Sequence, residues 1–199
     1  MSFLHDLIQN VMSYVVIPAL VGLLTYWYTK ARSLLKVKNK YPNIVMSVNK
    51  NERIQSLLVE IRTKFGSDRS ELSLIHNGTY LIDGSELLKI SRVAESAGHA
   101  TNLQAMNWQN IPISLLPCEM QLLKEYQPVF VTVSELSDGK FKRLLISGGV
   151  ANVIVCPVKN GQNIIGIVGL EYIDAVQKPK DMDDLFKYIS IIEEILSSK

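Results

Sequence analysis

Apolar positions run without a single charge from Leu7 to Thr29, and the next eleven positions carry Lys30, Arg32, Lys36, Lys38 and Lys40. A helix needs roughly 20 mainly apolar residues to cross a bilayer core, so this stretch predicts one membrane-spanning helix. Tyr26, Trp27 and Tyr28 fall where an interfacial aromatic belt sits, with Lys30 and Arg32 at the lipid–water boundary. A cleaved leader is excluded by the order of charges: the bases follow the apolar run, and bulky aromatics stand where small residues would be. Bases beside a span stay on the cytoplasmic side. The pattern therefore predicts a single-pass protein of a bacterial inner membrane with its C-terminal bulk in the cytoplasm. Residues 1–30 form the anchor, 31–48 a basic linker broken near Tyr41-Pro42, and 49–199 one domain.

Beyond the linker the period changes. Asn49 and Glu52 resemble a capping box, and Ile54, Leu57, Leu58, Ile61 and Phe65 recur at helical spacing until Gly66. Leu72–Ile75 and Tyr80–Ile82 read as short strands separated by His76-Asn77-Gly78, with Asp83-Gly84 as the next turn. Ser85 then caps a predicted helix from Glu86 to Ala97, ended by Gly98. His99 to Pro117 is polar and irregular, the kind of long connection that covers a ligand or acts as a lid. A short helix near Glu119–Tyr126, a strand at Pro128–Val133 and a helix from Lys140 to Ile146 follow. Asn152–Val158 and Ile164–Tyr172 flank Asn160-Gly161, a hairpin signal. Gly166 and Gly169 mark positions where another group packs closely on the sheet. The last helix starts at Asp181 and buries Leu185, Ile189, Ile192 and Leu196. The expected fold class is α+β: a transmembrane helix, then an antiparallel sheet with the first and last helices of the domain packed on one face.

Charge changes the picture in one respect. The chain is nominally basic, at +2, but without the junction bases and Asp6 the remainder is near −2. No clustered basic face survives that subtraction, so nucleic acid is not an expected partner. Cys118 and Cys156 lack a second pair and read as reduced packing cysteines; His5, His76 and His99 show no ligand spacing, and no metal or cofactor is expected. Glu95 and Glu171 stand among apolar residues and read as solvated or ion-paired acids. Ser91 lacks a Gly-x-Ser-x-Gly elbow, and no phosphate-binding glycine loop occurs. An enzyme is not expected. His76, at the end of a strand, is either a ligand contact or a turn-stabilising ring.

The arrangement resembles a GAF domain, the small-ligand and signalling fold related to PAS. The likeness is carried by Cys156-Pro157-Val158, the Asn160-Gly161 turn, Ile165-Gly166-Ile167-Val168-Gly169 and the final helix. It implies a non-enzymatic domain that binds a small molecule or a regulatory protein. The implied pocket lies between the sheet and the long middle segment, with His76, Asn77, Tyr80, Trp108 and Glu171 as candidate lining. It also implies association into a homodimer or higher oligomer through the terminal helices. Ile75-His76-Asn77-Gly78, Tyr80, Leu88–Ser91 and Glu95 are further similar to membrane-anchored GAF-like proteins of tailed phages. The ending is similar to the soluble domain of T-even phage holins, which implies as an alternative a lysis protein whose span opens membrane lesions.

Overall fold

In the computed structural model, residues 5, 12–38, 44–80, 84, 86–179 and 181–198 are described. The chain divides into two units, Met1–Val48 and Asn49–Lys199. In the first unit a π-helical turn, Met12–Val16, leads into helix α1, Ile17–Lys38. Pro18 has no N–H to donate back to the preceding turn, which accounts for the irregular entry. Among the described residues, no helix is long and apolar enough to cross a membrane. This corrects the expected span. The charge-free part of α1 ends at Thr29 and rises only about 20 Å, against roughly 30 Å of hydrocarbon. Residues 7–11, and Tyr41-Pro42 with its expected break, lie outside the described residues. Ile17, Leu20, Val21, Leu23, Leu24, Tyr26, Trp27 and Tyr28 are all exposed.

Helix α2 spans Ile44–Phe65. It already runs through Asn49, so the expected capping box does not form. Gly66, at φ +61, ends the helix in the left-handed region, and Ser67 N donates back to Arg62 O at 3.1 Å. Six described strands then form one antiparallel sheet: β1 Arg69–Tyr80, β2 Glu86–Ala97, β3 Ile111–Pro112, β4 Val129–Thr132, β5 Asn152–Asn160 and β6 Asn163–Tyr172. Their spatial order is β3-β2-β1-β6-β5-β4. Helix α3 is Pro117–Leu122, α4 is Lys140–Ser147 and α5 is Met182–Ser197.

The β5–β6 hairpin forms as expected, with Gly161 at φ +63 in its turn. The segment Glu86–Ala97 does not form the expected helix. It pairs with β1 from Arg69↔Ala97 to Tyr80↔Glu86, so cross-strand contact overrides its helix-favouring composition. The expected strands at Leu72–Ile75 and Tyr80 belong to the single strand β1; Leu81–Asp83 and Ser85 lie outside the described residues.

Strand alternation sorts the side chains onto two faces. Leu72, Ile154, Val168, Leu170 and Tyr172 face α2 and α5, whose Ile54, Leu58, Ile61, Leu185, Ile189, Ile192 and Ile195 complete that core. Leu58 has no exposed surface there. Leu58→Ala is expected to cost about 2–5 kcal/mol, read as a lowered urea midpoint at unchanged slope. On the other face Ile90, Val153, Val155 and Ile167 pack against the middle segment and α4 through Trp108, Leu116, Leu123, Phe141, Leu144 and Leu145.

Candidate functional site

Below this second core lies a buried charge cluster. Alternation along β1 puts Arg69, Glu71 and Ser73 on the face away from Leu72, and pairing brings Glu171 of β6 and Arg92 and Glu95 of β2 beside them. Arg69, Glu71, Arg92, Glu95 and Glu171 are each buried, Arg92 at 2% exposure and Glu171 at 2%. Glu171 bridges the two guanidinium groups: Arg69 Nε donates to its Oε2 at 2.5 Å, and Arg92 Nη2 to its Oε1 at 2.7 Å. Arg92 Nη1 donates to Glu95 Oε1 at 2.7 Å, and its Nε stands 3.0 Å from Glu71 Oε2 as an ion pair. Ser73 Oγ donates to the same Glu71 oxygen at 2.6 Å.

The cluster also fastens the middle segment. Glu95 Oε2 accepts from the backbone N–H groups of Gln104 and Ala105, both at 2.8 Å. Arg69 donates to the carbonyls of Asn102 at 3.2 Å and Gly148 at 2.8 Å. Gln109 Nε2 donates to Arg92 O at 2.7 Å. Arg92 lies 4.9 Å from the centroid of the Trp108 ring, which itself meets Phe141 edge-on. Burial works against the Arg92 cation, but Glu71, Glu171 and Glu95 outweigh it and hold its proton more firmly than usual. Burial raises Glu71 against the pull of Arg92.

Glu119 of α3 is the one acid in this layer with an orphaned oxygen: among the described residues, its buried Oε2 has no hydrogen-bond partner. Burial, reinforced by the nearby charges of Glu71 and Glu171 and opposed by Arg92, pushes its pKa up to about 8. That favours its neutral form at pH 7.

Gly169 makes the cluster fit, as its place in β6 suggested. A Cβ there would fall on the Glu71 carboxylate. Gly169→Ala is expected to displace Glu71 from Arg92 and destabilise by about 1–3 kcal/mol, measured by denaturant unfolding.

The five candidate lining residues do not converge. Trp108 and Glu171 belong to the cluster. His76 shares the alternation of Leu72 and Leu74 and so lies on the helix-covered face, with Nε2 2.9 Å from Ser91 Oγ. Asn110 N donates to that same hydroxyl at 2.8 Å. Asn77 and Tyr80 are exposed near the end of the β1–β2 hairpin. His76 touches neither Glu95 nor Glu171, so no acid–base pair with it is assembled. Glu95 and Glu171 prove ion-paired. The sequence reading missed Arg69, Arg92, Glu71 and Glu119; the usable signal was the polar groups at alternate positions in Arg69-Ser70-Glu71-Leu72-Ser73, hidden by reading β2 as a helix.

The cluster's own side chains are buried against one another. On the opposite face a groove of about 590 Å³ has a floor of Ile54, Leu72, Leu74, Ala94 and Leu196 and a polar rim that includes Asn51 and Glu52. Among the described residues no set of three His, Cys, Asp or Glu side chains is placed to hold a metal ion.

The sequence matches no protein-family model and no curated protein. Solved structures do match the fold. The phycocyanobilin-bound GAF domain of a cyanobacterial phytochrome is 14% identical, with a TM-score of 0.54 over 84% of this chain and 91% of that one. The GAF domain of a two-component sensor histidine kinase from Bacillus halodurans is 14% identical, with a TM-score of 0.52 over 72% and 91%. NreA from Staphylococcus aureus, mutated in its nitrate binding site, is 16% identical, with a TM-score of 0.51 over 68% and 95%. These likenesses lend nothing to the phage or holin resemblance. At such identities they establish architecture alone: an α+β, GAF-like fold with a curled six-stranded antiparallel sheet and flanking helices.

Proposed function

We propose that residues 49–199 form a non-enzymatic GAF-like binding module, and that the N-terminal helix holds it at the cytoplasmic face of a bacterial inner membrane. The observation that carries the binding role is the groove on the helix-covered face. Its apolar floor and polar rim suit a small, largely apolar molecule with one or two hydrogen-bonding groups. The fold similarity to domains of sensor kinases and phytochromes supports a regulatory rather than a chemical task. Native mass spectrometry of the full chain released from detergent micelles should find a bound small molecule, lost in Ala94→Trp. Ligand-free protein in both cases would refute the groove as the site.

Membrane attachment is supported by the uncharged Met12–Thr29 stretch, its exposed apolar side chains and the bases that follow. Lys30 Nζ lies 5.7 Å from the ring centroids of both Tyr26 and Trp27, so charge and aromatic surface are presented together. Such a helix suits an anionic leaflet, where each base near the surface contributes about 1 kcal/mol. The full chain should float with vesicles containing anionic lipid, and replacing Tyr26, Trp27 and Tyr28 by serine should leave most of it at the bottom of the gradient. Exposed Val59, Phe186 and Ile191 on α2 and α5 support self-association of the module.

A further inference from the structure

The layer over the charge cluster carries an imbalance that the fold alone does not require. Glu71, Glu95, Glu119 and Glu171 are buried beside Arg69 and Arg92, so acids outnumber bases. Glu71, Glu95 and Glu171 are satisfied by the guanidinium groups, by Ser73 and by backbone N–H groups. Glu119 is not: it is 4% exposed and its Oε2 has no partner among the described residues. It sits on a short helix, Pro117–Leu122, flanked by 3-10 turns at Ile113–Leu115 and Leu123–Glu125. Apart from β3, which forms only two residue pairs with β2, this stretch is held by apolar contacts of Leu116, Cys118, Met120, Leu122 and Leu123.

We propose that Ile113–Glu125 is a pH-operated cover on the charge cluster, held shut by the proton of Glu119 and released when that proton passes to solvent. A buried carboxylate without a partner is tolerated only when neutral, because its ionised form has lost water and gained nothing. The groups that face Glu119 make ionisation worse. Glu71 of β1 and Glu171 of β6 repel it, and only Arg92 of β2, already shared among three carboxylates, attracts it. On the cover itself Lys124 and Glu125 are exposed, and the buried positions of α4 in this layer are the apolar Phe141, Leu144 and Leu145. Swinging the cover outward puts Glu119 in water and lets it ionise at its ordinary value.

The sign follows directly. Glu119 is raised from 4.5 to about 8 in the closed state. Between those values the closed state holds a proton that the open state lacks, so closure weakens as pH rises. The favour for closure is complete below 4.5, declines by up to about tenfold per pH unit, and is spent above about 8. Opening would uncover the Arg92–Trp108 stack and the carboxylates beneath it.

Hydrogen exchange of the full chain in micelles, corrected for intrinsic rates, tests this at pH 6, 7, 8 and 9. The peptide covering 113–126 should exchange faster with pH up to about 8 and then level, while the β5–β6 hairpin keeps its protection. Glu119→Gln, neutral at every pH, should flatten the course. An equal slope in Glu119→Gln, or a flat course in the unaltered chain, would overturn the proposal. Loss of hairpin protection in step with the cover would overturn it too, since the proton would then act on global folding. That internal comparison needs no variant, so it holds if Glu119→Gln does not fold.

Discussion

Glu171→Ala is expected to destabilise the domain by about 3–5 kcal/mol, among the largest losses available from one substitution here. The reason is that Glu171 does not serve one partner. Its two oxygens hold Arg69 and Arg92, both nearly without exposed surface; removing it leaves Arg69 with the carbonyls of Asn102 and Gly148 but without its carboxylate, and takes one of three carboxylates from Arg92. Glu171→Gln keeps the shape and one acceptor, so it should recover part of the loss but leave the charge mismatch. Guanidinium denaturation of the full chain in detergent reads both. A Glu171→Ala midpoint within error of the unaltered protein would show that the cluster contributes nothing net. Replacing all the charged members by apolar residues of similar volume is a different experiment, and one that could be neutral.

Arg92→Met is expected to cost about as much, for the complementary reason. Met preserves much of the side-chain volume but removes the only groups that face Glu71 and Glu95 together with Glu171. Arg69 stays paired with Glu171, while Glu71 and Glu95 keep only the Ser73 hydroxyl and the N–H groups of Gln104 and Ala105, so burial favours uptake of a proton there. The variant should therefore lose more stability at pH 8 than at pH 5, whereas the loss in Glu171→Ala should depend less on pH. Arg92→Lys keeps the charge but cannot serve three carboxylates in one plane, nor stack on Trp108 in the same way. It should fall between the two, and tryptophan emission from Trp108 should shift with it. Equal losses at pH 5 and pH 8 for Arg92→Met would contradict this account.

What could be read from the chain depended on whether the signal was local. The β5–β6 hairpin and α5 follow from an Asn-Gly turn and a 3.6-residue stripe, both complete within a few residues. β2 was illegible for the opposite reason. Glu86-Leu-Leu-Lys-Ile has the composition of a helix, and only pairing with β1 makes it a strand. That single misreading hid the site, because Arg92 and Glu95 were placed on a helical surface instead of an inner sheet face. Glu171 was found because a charge inside an apolar strand is conspicuous, but its partners, Arg69 and Arg92, lie about 100 and 80 residues away. The N-terminal run misled differently: its charge-free length suggested a span, whereas among the described residues no helix is long and apolar enough to cross a membrane.

Glu171 arrives late in synthesis. While the ribosome has released only β1 and β2, the hairpin they form holds Arg69 and Arg92 with Glu71 and Glu95 but lacks the carboxylate that joins them. The nascent sheet must therefore wait for β6, the penultimate element, before its centre closes, and closure of so distant a pairing is slow. Until then β1 keeps unpaired the strand edge that β6 later covers.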